Sequence, residues 1–289
     1  MPLIEAIKNS KALRWPLLAL ARKILAPLKS GAPIFRRAAY DALSIPYMVT
    51  GTREFFVVST RDKVIGRNLF LHGAYDFEKF ERALSVLSRE KITFPRHLID
   101  VGANIGSIVI PAIKRGLVQS GSAIEPHPDN LRLLRANLAL NGIDDKVVVF
   151  GLAAGNKTDT ALELRGSESN SATHSIGEGG IPIKSTRLDD LDIPIECSLL
   201  WMDIEGYEGH ALQGASRLLA AGVPVVSEFN PRFLTESGGI DAFCDLLKDR
   251  KIFDLGDPSP SETSLKELKM RYAADWTDIL ALHAQDRAQ

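Results

Sequence analysis

Residues 97–110 read HLIDVGANIGSIVI and place an acid, two glycines and an asparagine between two apolar runs. Glycine adopts positive φ and lets another group approach the backbone closely, and asparagine tolerates the same region better than most residues. Gly102, Asn104 and Gly106 therefore predict a tight turn, with Asp100 just ahead of it. A turn of this kind, between a strand and a helix N-terminus, forms a ligand cradle in open α/β sheets.

The acids around this turn favour a ligand with a cationic end. A dinucleotide fingerprint needs G-x-G-x-x-G so that the backbone can approach a pyrophosphate, whereas this turn runs G-A-N-I-G. Glu125 ends the next predicted strand, at the distance where a carboxylate can accept hydrogen bonds from both ribose hydroxyls. A strand, turn and helix can also bind nothing. Two acids facing one pocket, however, favour the ammonium and sulfonium groups of S-adenosylmethionine.

Four polar residues later in the chain are candidates for catalysis. Open α/β sheets bind ligands at the carboxyl ends of their strands, and Asp203 and Glu228 stand at two such ends. Our order of preference for a general base is Asp203, Glu228, Glu205 and then His210. In the structural alternative, Asp203 and Glu205 only cap the helix that follows them. In a further alternative, Asp203 and Glu228 hold a divalent cation that orients two substrate oxygens.

Short apolar strands alternate with helical patterns from residue 97 onward, which predicts a parallel sheet with helices on both faces. The predicted strands are 97–101, 121–125, 146–150, 198–202, 223–228 and 278–282, and the predicted helices are 105–116, 128–140 and 206–221. Residues 155–185 are polar and rich in Gly, Ser and Asn. They predict an excursion from the sheet with short strands at 160–164 and 181–184.

The N-terminal region differs from the rest of the chain in charge. Residues 1–40 contain eight basic side chains and one acid, a net charge of 8 − 1 = +7. Leucines and an isoleucine recur at helical spacing between Leu13 and Leu28, which predicts a basic amphipathic helix. Such a helix docks on a membrane surface or a partner, or packs on its own domain with a solvated basic face. Aromatic residues are not interleaved with the basic ones, and no nucleic-acid-binding motif accompanies the charge, so we expect no nucleic-acid partner.

Composition sets broad limits on the class of protein. The chain has 289 residues, of which 45% are hydrophobic and 25% charged, as in ordinary soluble globular proteins. Cys197 and Cys244 match no metal or disulfide spacing, which fits a reducing compartment. No apolar run approaches the roughly 20 residues of a spanning helix. We expect a cytoplasmic protein, with peripheral membrane contact through the basic helix as an open alternative.

Several motifs together resemble the FkbM-type methyltransferases, a branch of the class I S-adenosylmethionine-dependent enzymes. The matching runs are DVGANIG at 100–106, EPHPDN at 125–130, RLDDL at 187–191 and DIEGYE at 203–208, followed by LQGA and VVSEFN. The resemblance covers roughly residues 70–283. It implies a doubly wound, mostly parallel, Rossmann-like α/β sheet. We divide the chain into a basic helix and small β appendage over 1–70 and a methyltransferase domain over 71–289, with antiparallel strands expected at 47–71.

The resemblance also implies roles for individual residues. The implied cofactor-binding residues are Asp100, Gly102, Asn104, Gly106, Glu125, Pro126, Leu152 and Ala153. Tyr75 and Glu78 match an N-terminal family feature that closes over the cofactor, although an ordinary helix start explains them equally well. His127 is expected beside the adenosine or on the surface.

The activity implied by the resemblance is O-methylation of a hydroxyl on a sugar, glycolipid or polyketide-like metabolite. A methyltransferase acting on nitrogen is disfavoured, because no Asn/Asp-Pro-Pro-aromatic block follows the fourth predicted strand. The competing class is a non-catalytic scaffold that binds S-adenosylmethionine and docks through its N-terminal helix. Asp203 and Glu228 favour the enzyme over the scaffold.

Overall fold

The computed structural model describes residues 33–51, 53–167 and 170–283, together with Pro16, Ala19, Leu20 and Lys23. Apart from those four positions, the basic helix predicted between Leu13 and Leu28 lies outside the described residues. None of the described helices has the length and apolar character that crossing a membrane requires.

The helices and strands of the described residues follow one another along the whole chain. The strands are β1 (Tyr47–Gly51), β2 (Phe55–Ser59), β3 (His97–Val101), β4 (Ser120–Ile124), β5 (Val147–Phe150), β6 (Ala153–Ala154), β7 (Ala161–Ser167), β8 (Asn170–Ile176), β9 (Ile181–Thr186), β10 (Ser198–Met202), β11 (Val225–Phe229), β12 (Arg250–Asp254), β13 (Glu262–Thr263) and β14 (Thr277–His283). The helices are α1 (Pro33–Asp41), α2 (Ile65–His72), α3 (Phe77–Arg89), α4 (Val109–Lys114), α5 (Pro128–Leu140), α6 (Glu208–Gln213), α7 (Ser216–Ala220), α8 (Pro231–Glu236), α9 (Ile240–Leu247) and α10 (Leu265–Arg271).

A mostly parallel sheet lies at the centre of the described chain. Its strands run in the order β13-β12-β14-β11-β10-β3-β4-β5. The five strands from β11 to β5 are mutually parallel, whereas β14 runs antiparallel to β11 and to β12. The order reverses between β3 and β10, and the carboxyl ends of both strands meet at one edge of the sheet. Ligands bind at such a switch point in open α/β sheets.

The central strands are buried on both faces, which confirms the doubly wound α/β fold. In β10, Leu199 and Trp201 belong to one hydrophobic cluster, and Leu200 and Met202 to another. Helices α3 and α4 contribute to the first cluster, and α6 and α9 to the second. Because successive side chains of a strand point to opposite faces, the two clusters lie on opposite sides of the sheet. Strands buried in this way read as continuous apolar runs, and the prediction of 198–202 matches β10.

Two sequence predictions need correction, and one strand has no counterpart among the predictions. Residues 65–72 form α2 rather than a strand: Ile65 and Leu69 are buried four residues apart, a helical spacing. The helix predicted at 206–221 divides into α6 and α7 around Gly214, where a Cβ atom would lie 2.1 Å from the carbonyl oxygen of Gly155. Strand β12 was not predicted, because its charged residues interrupt a short apolar pattern.

The β1–β2 hairpin is fastened to α5 by two asparagines. Backbone N–H groups of Phe55 and Val57 donate to the side-chain oxygens of Asn141 and Asn137, at 3.0 and 2.6 Å. Asn137 also donates to the carbonyl oxygen of Ile105, at 2.9 Å. The hairpin therefore braces the loop that follows the glycine-rich turn. The domain boundary at residue 70 remains a prediction.

The excursion after β5 forms a second, smaller sheet. Its order is β6-β9-β7-β8, with β7 antiparallel to both β8 and β9. The prediction of strands near 160–164 and 181–184 is confirmed by β7 and β9. Strand β8 was not predicted, because its sequence NSATHSI has no apolar alternation.

Candidate functional site

The turn after β3 has the backbone conformation that its residue types predict. Gly102, Asn104 and Gly106 have φ angles of 84°, 49° and 93°. A Cβ atom at Gly102 would lie only 2.0 Å from the carbonyl oxygen of Asp203, so the position admits glycine alone. This close approach joins the turn to the loop that follows β10.

Glu125 holds the turn through both of its carboxylate oxygens. The side chain is 4% exposed, and its oxygens accept hydrogen bonds from the backbone N–H of Asn104, at 2.8 Å, and of His127, at 2.7 Å. Burial raises the pKa of Glu125 to about 7. The side chain of Asn130 also hydrogen-bonds to this carboxylate. An ionised carboxylate has about four acceptor positions, so about one remains for a ligand. The assignment of Glu125 to a ribose remains a prediction.

Asp100 occupies a similar position at the end of β3. Its side chain is buried and accepts a hydrogen bond from the backbone N–H of Val109, at 3.2 Å, where α4 begins. Burial raises the pKa of Asp100 to about 7 as well, with the nearby carboxylate of Glu125 adding to the shift. The turn therefore lies between two buried acids, each fixed by backbone amides.

A cavity at the switch point brings most of the predicted cofactor residues together. Its lining includes Asp100, Gly102, Asn104, Glu125, Pro126 and Ala153. Gly106 and Leu152 are not among the lining residues. A Cβ atom at Gly106 would point at the side chain of Ile110 in α4, 2.6 Å from its Cδ1 atom. Their assignment as cofactor residues stays a prediction that this geometry does not support.

Three carboxyl groups meet at the other end of the cavity. Oxygens of Asp203, Glu205 and Glu228 all lie within 4.8 Å of one another. Asp203 and Glu205 line the cavity, while Glu228 lies deeper, 6% exposed. Burial and then the neighbouring acids raise the pKa of all three groups, that of Glu205 to about 8. Among the described residues, Glu228 Oε2 has no hydrogen-bond partner.

The loop after β10 is shaped by Glu208. Its Oε1 accepts hydrogen bonds from the backbone N–H of Ile204, at 2.9 Å, and of Gly206, at 3.3 Å. Glu205 has a φ of 53°, a left-handed conformation that is uncommon for a glutamate. Glu208, rather than Asp203 or Glu205, thus accepts the amides ahead of α6. The carboxylates of Asp203 and Glu205 are left for the cavity.

His210 is separated from the three acids. Its Nε2 lies 2.9 Å from the carbonyl oxygen of Ser237, so this nitrogen carries the proton and donates. The ring packs against Tyr207, with centroids 4.4 Å apart, and His210 does not line the cavity. A catalytic role for His210 remains a prediction without a contact that supports it.

The sequence reasoning missed an ion pair beside the acids. Asp278 lines the cavity and pairs with Glu228 in the β11–β14 register. The ammonium of Lys79 lies 2.5 Å from a carboxylate oxygen of Asp278 and 3.3 Å from one of Asp76. The available signal was the position of Asp278 near the start of an antiparallel strand, which brings it to the carboxyl edge of its parallel neighbours.

The three residues predicted to lie next to the cofactor, Tyr75, Glu78 and His127, have different positions. Tyr75 lines the cavity, together with Asp76, whereas Glu78 is exposed and does not. His127 stacks on His174 of β8, with ring centroids 4.3 Å apart, and His174 lines the cavity.

Strand β8 covers the cavity from the side of the small sheet. Asn104 Nδ2 donates to the carbonyl oxygen of Ser171 at 2.8 Å, and the Ser171 hydroxyl donates to Asp62 at 2.6 Å. Ser171, His174 and Ile176 all contribute to the lining. The excursion is therefore part of the site.

Comparison with known sequences identifies the family. The sequence profile of the methyltransferase FkbM domain matches residues 100–251, which is more than half of the chain. The chain belongs to the FkbM-type family of class I S-adenosylmethionine-dependent methyltransferases. The match begins at Asp100 and includes Glu125, Asp203 and Glu228. A comparison with curated proteins found no match.

Several solved structures are similar to the FkbM-type chain at low sequence identity. TYW2 of M. jannaschii in complex with AdoMet is 12% identical, covers 83% of this chain and 86% of its own, and gives a TM-score of 0.44. The O-methyltransferase of Bacillus cereus in complex with SAH is 13% identical, with 71% and 80% covered and a TM-score of 0.40. The precorrin-6y C5,15-methyltransferase of Geobacter metallireducens is 16% identical, with 71% and 88% covered and a TM-score of 0.37.

Proposed function

We propose that this FkbM-type chain transfers the methyl group of S-adenosylmethionine to a hydroxyl of a sugar, glycolipid or polyketide-like metabolite. The observation that carries the proposal is a cavity at the carboxyl edge of the sheet that joins two sets of residues. Its lining includes the glycine-rich turn and Glu125 at one end and Asp203 and Glu205 at the other. A cofactor and an acceptor can therefore meet in one cavity.

The residues around the turn fit S-adenosylmethionine. Asn104 lines the cavity, and its Oδ1 is buried with no hydrogen-bond partner among the described residues, so it can accept a hydrogen bond from a ligand. In their ionised forms, Asp100 and Glu125 present negative charge toward a ligand that carries an ammonium and a sulfonium. When bound, S-adenosylmethionine supplies a methyl group activated by the positive sulfur. The residues of the chain must then position the reactants and accept a proton.

Those residues position the reactants and accept a proton. Holding two reactants in line recovers roughly 7 to 11 kcal/mol of barrier in favourable cases. A positioned base contributes about 10² to 10⁴-fold more. Asp203 is the preferred base, because it lines the cavity and its pKa is raised. We keep Glu228 second and Glu205 third, the order that the sequence suggests, although Glu205 lines the cavity and Glu228 lies deeper.

A nitrogen acceptor and a non-catalytic scaffold are the competing functions. A scaffold that only binds the cofactor needs no base, so it gives no reason for three carboxyl groups to meet at the end of the cavity opposite the turn. The convergence of Asp203, Glu205 and Glu228 therefore favours the enzyme. An alcohol acceptor benefits from such a base more than an amine does, because an alcohol must lose its proton as it reacts.

The acceptor is best sought with a labelled cofactor. Metabolite extracts are incubated with the full chain and trideuteromethyl S-adenosylmethionine, and products are found by mass spectrometry. We expect a product heavier by one trideuteromethyl group on oxygen, and none with Asp203→Asn. The matched control is Glu196→Gln, an exposed acid just ahead of β10, at the opposite end of that strand from Asp203. Label found only on nitrogen, or on no small molecule, contradicts the proposal.

The basic segment is proposed as a peripheral contact with an anionic membrane. Support comes from the net charge of +7 over residues 1–40. The described helix α1 adds support, because Ile34 and Phe35 are 78% and 52% exposed. Exposed apolar side chains beside basic ones are typical of helices that lie in a membrane interface.

A further inference from the structure

The spacing of the three clustered carboxyl groups matches the coordination sphere of one ion. The ligand oxygens of Asp203, Glu205 and Glu228 lie within 4.8 Å of one another. Magnesium and calcium bind oxygen at roughly 2.0 to 2.6 Å, so two oxygens on opposite sides of one ion lie about 4 to 5 Å apart. One cation can therefore contact all three groups without a large rearrangement.

A second observation is that Glu228 is buried with one carboxylate oxygen unpartnered among the described residues. Its side chain is only 6% exposed, and Oε2 has no hydrogen-bond partner in the described part of the chain. Buried carboxylates are ordinarily paired or bind a metal, because an isolated buried charge is costly. The unpartnered oxygen belongs to the group whose neighbours are two further acids rather than a base.

The charges nearby do not supply a partner. Lys79 forms ion pairs with Asp278 and Asp76, and the charge of Asp203 acts on it only as a weaker, more distant cause of its raised pKa. No ion pair within residues 33–51, 53–167 and 170–283 includes Asp203, Glu205 or Glu228. Within the described residues, the three carboxyl groups therefore have no basic side chain in direct contact to balance their charge.

We infer that Asp203, Glu205 and Glu228 bind one divalent cation of the oxygen-preferring kind, Mg²⁺, Mn²⁺ or Ca²⁺. The set contains only carboxylate oxygens, which these hard cations prefer over imidazole or thiolate ligands. Glu208 contributes indirectly, since it fixes the amides of Ile204 and Gly206 and so holds the loop that carries Glu205.

The inference rests on the proposed function and narrows its substrate class. A cation at the acceptor end of the cavity holds two neighbouring oxygens of one molecule, as in a vicinal diol of a sugar or a hydroxyl beside a carbonyl. A bound cation also lowers the pKa of a hydroxyl that it contacts. Each carboxylate retains a second oxygen, so Asp203 can still accept the acceptor's proton.

Manganese serves as the probe, because free Mn²⁺ is measured directly by electron paramagnetic resonance. The full chain is treated with a chelator, dialysed and titrated with Mn²⁺. We expect one saturable site that Mg²⁺ displaces. Glu228→Gln should weaken Mn²⁺ binding at least tenfold, and Glu205→Gln should do the same. Glu196→Gln, the exposed control, should bind as the parent does. Circular dichroism checks that the variants are folded.

Absence of a saturable site in the folded parent chain, or equal binding by Glu228→Gln, overturns the inference. The labelled-methyl assay separates this failure from failure of the proposed function. If Mn²⁺ does not bind and methyl transfer to oxygen continues unchanged in excess chelator, the cation site is wrong and the O-methyltransferase stands. If Mn²⁺ binds as expected and no hydroxyl acceptor is methylated, the cation site stands and the proposed function fails.

Discussion

The two ends of the cavity treat their buried acids differently. At the turn, both oxygens of Glu125 and one oxygen of Asp100 accept hydrogen bonds from backbone amides. At the other end, Glu228 has an unpartnered buried oxygen and lies against two further carboxyl groups. Buried polar groups in native proteins are nearly always paired, so exceptions call for an explanation.

At the turn, the chain itself supplies hydrogen-bond partners for the buried acids. At the acidic cluster, it leaves a buried carboxylate oxygen without a partner among the described residues. The turn is preorganised, because the acids that flank it already hold its backbone. The acidic cluster needs a proton or a positively charged ligand to offset its repulsion. Changes at one end should therefore affect cofactor affinity, and changes at the other should affect turnover.

The largest effect is expected at Asp203. Asp203→Asn removes the preferred base while retaining the shape of the side chain, so we expect turnover to fall by about 10² to 10⁴-fold. Cofactor affinity should be nearly unchanged, because the contact with Gly102 involves the backbone of Asp203. Labelled-methyl transfer and calorimetry measure the two quantities. A loss of affinity as large as the loss of turnover contradicts the separation of the two ends.

A smaller effect is expected at Glu125, and it should appear in cofactor affinity rather than in turnover. Hydrogen bonds to charged groups contribute roughly 1.5 to 3 kcal/mol, so Glu125→Ala should weaken cofactor binding about tenfold to a hundredfold. Calorimetric titration with S-adenosylmethionine gives the dissociation constant, and Glu196→Gln is again the control. An unchanged dissociation constant in a folded variant removes Glu125 from the site.

The pH dependence of cofactor binding should be smaller still. Burial raises the pKa of Glu125 to about 7, so this group is largely ionised at pH 8 and largely protonated at pH 6. The ionised form is the better acceptor, and affinity should rise about tenfold from pH 6 to pH 8. Glu125→Gln should show a weaker dependence than the parent chain. Equal slopes for the two proteins, measured by calorimetry across this range, indicate that Glu125 does not titrate on binding.

The same shift predicts a change in the stability of the ligand-free chain. The folded chain binds the proton of Glu125 more tightly than the unfolded chain does. This contribution to the free energy of unfolding is therefore present at low pH and is lost as pH rises through about 7.

The smallest effect on cofactor affinity is expected from the N-terminal segment. The family profile begins at residue 100, so deleting residues 1–30 should leave cofactor affinity nearly unchanged. The full chain should bind liposomes that contain anionic lipid and dissociate as salt rises, since screening limits electrostatic reach to about 8 Å at physiological ionic strength. The shortened chain keeps Arg36 and Arg37 but loses the other six basic residues of this segment, so it should bind the liposomes much more weakly. If deletion instead lowers thermal stability, the segment packs on its own domain, and if it abolishes cofactor binding, the domain division is wrong.

The sequence predicts the strands and the turn better than it predicts which distant residues meet in the cavity. Continuous apolar runs identified β3 and β10, and the glycines and Asn104 identified the turn, because these signals are local. Strand β8 carries no such signal. Its place over the cavity depends on contacts such as that between Asn104 and Ser171, 67 residues apart.

The acidic cluster also depends on contacts between residues that are far apart in the sequence. Asp203 and Glu228 were candidates from their positions at strand ends, and the structure brings them together with Glu205. The Lys79–Asp278 pair joins α3 to the last strand, nearly 200 residues later, and no local pattern predicts such a contact. His210 illustrates the opposite error: it is near Asp203 in sequence, but its position in α6 directs it to Ser237.

Calorimetric titration of the full chain with S-adenosylmethionine, its demethylated product and NAD tests the central claim most directly. The claim is that the turn between Asp100 and Glu125 is built for a cofactor with a cationic end. We expect S-adenosylmethionine and its product to bind at one site per chain, and NAD to show no comparable affinity. Tight binding of NAD, with no heat from S-adenosylmethionine, would contradict it.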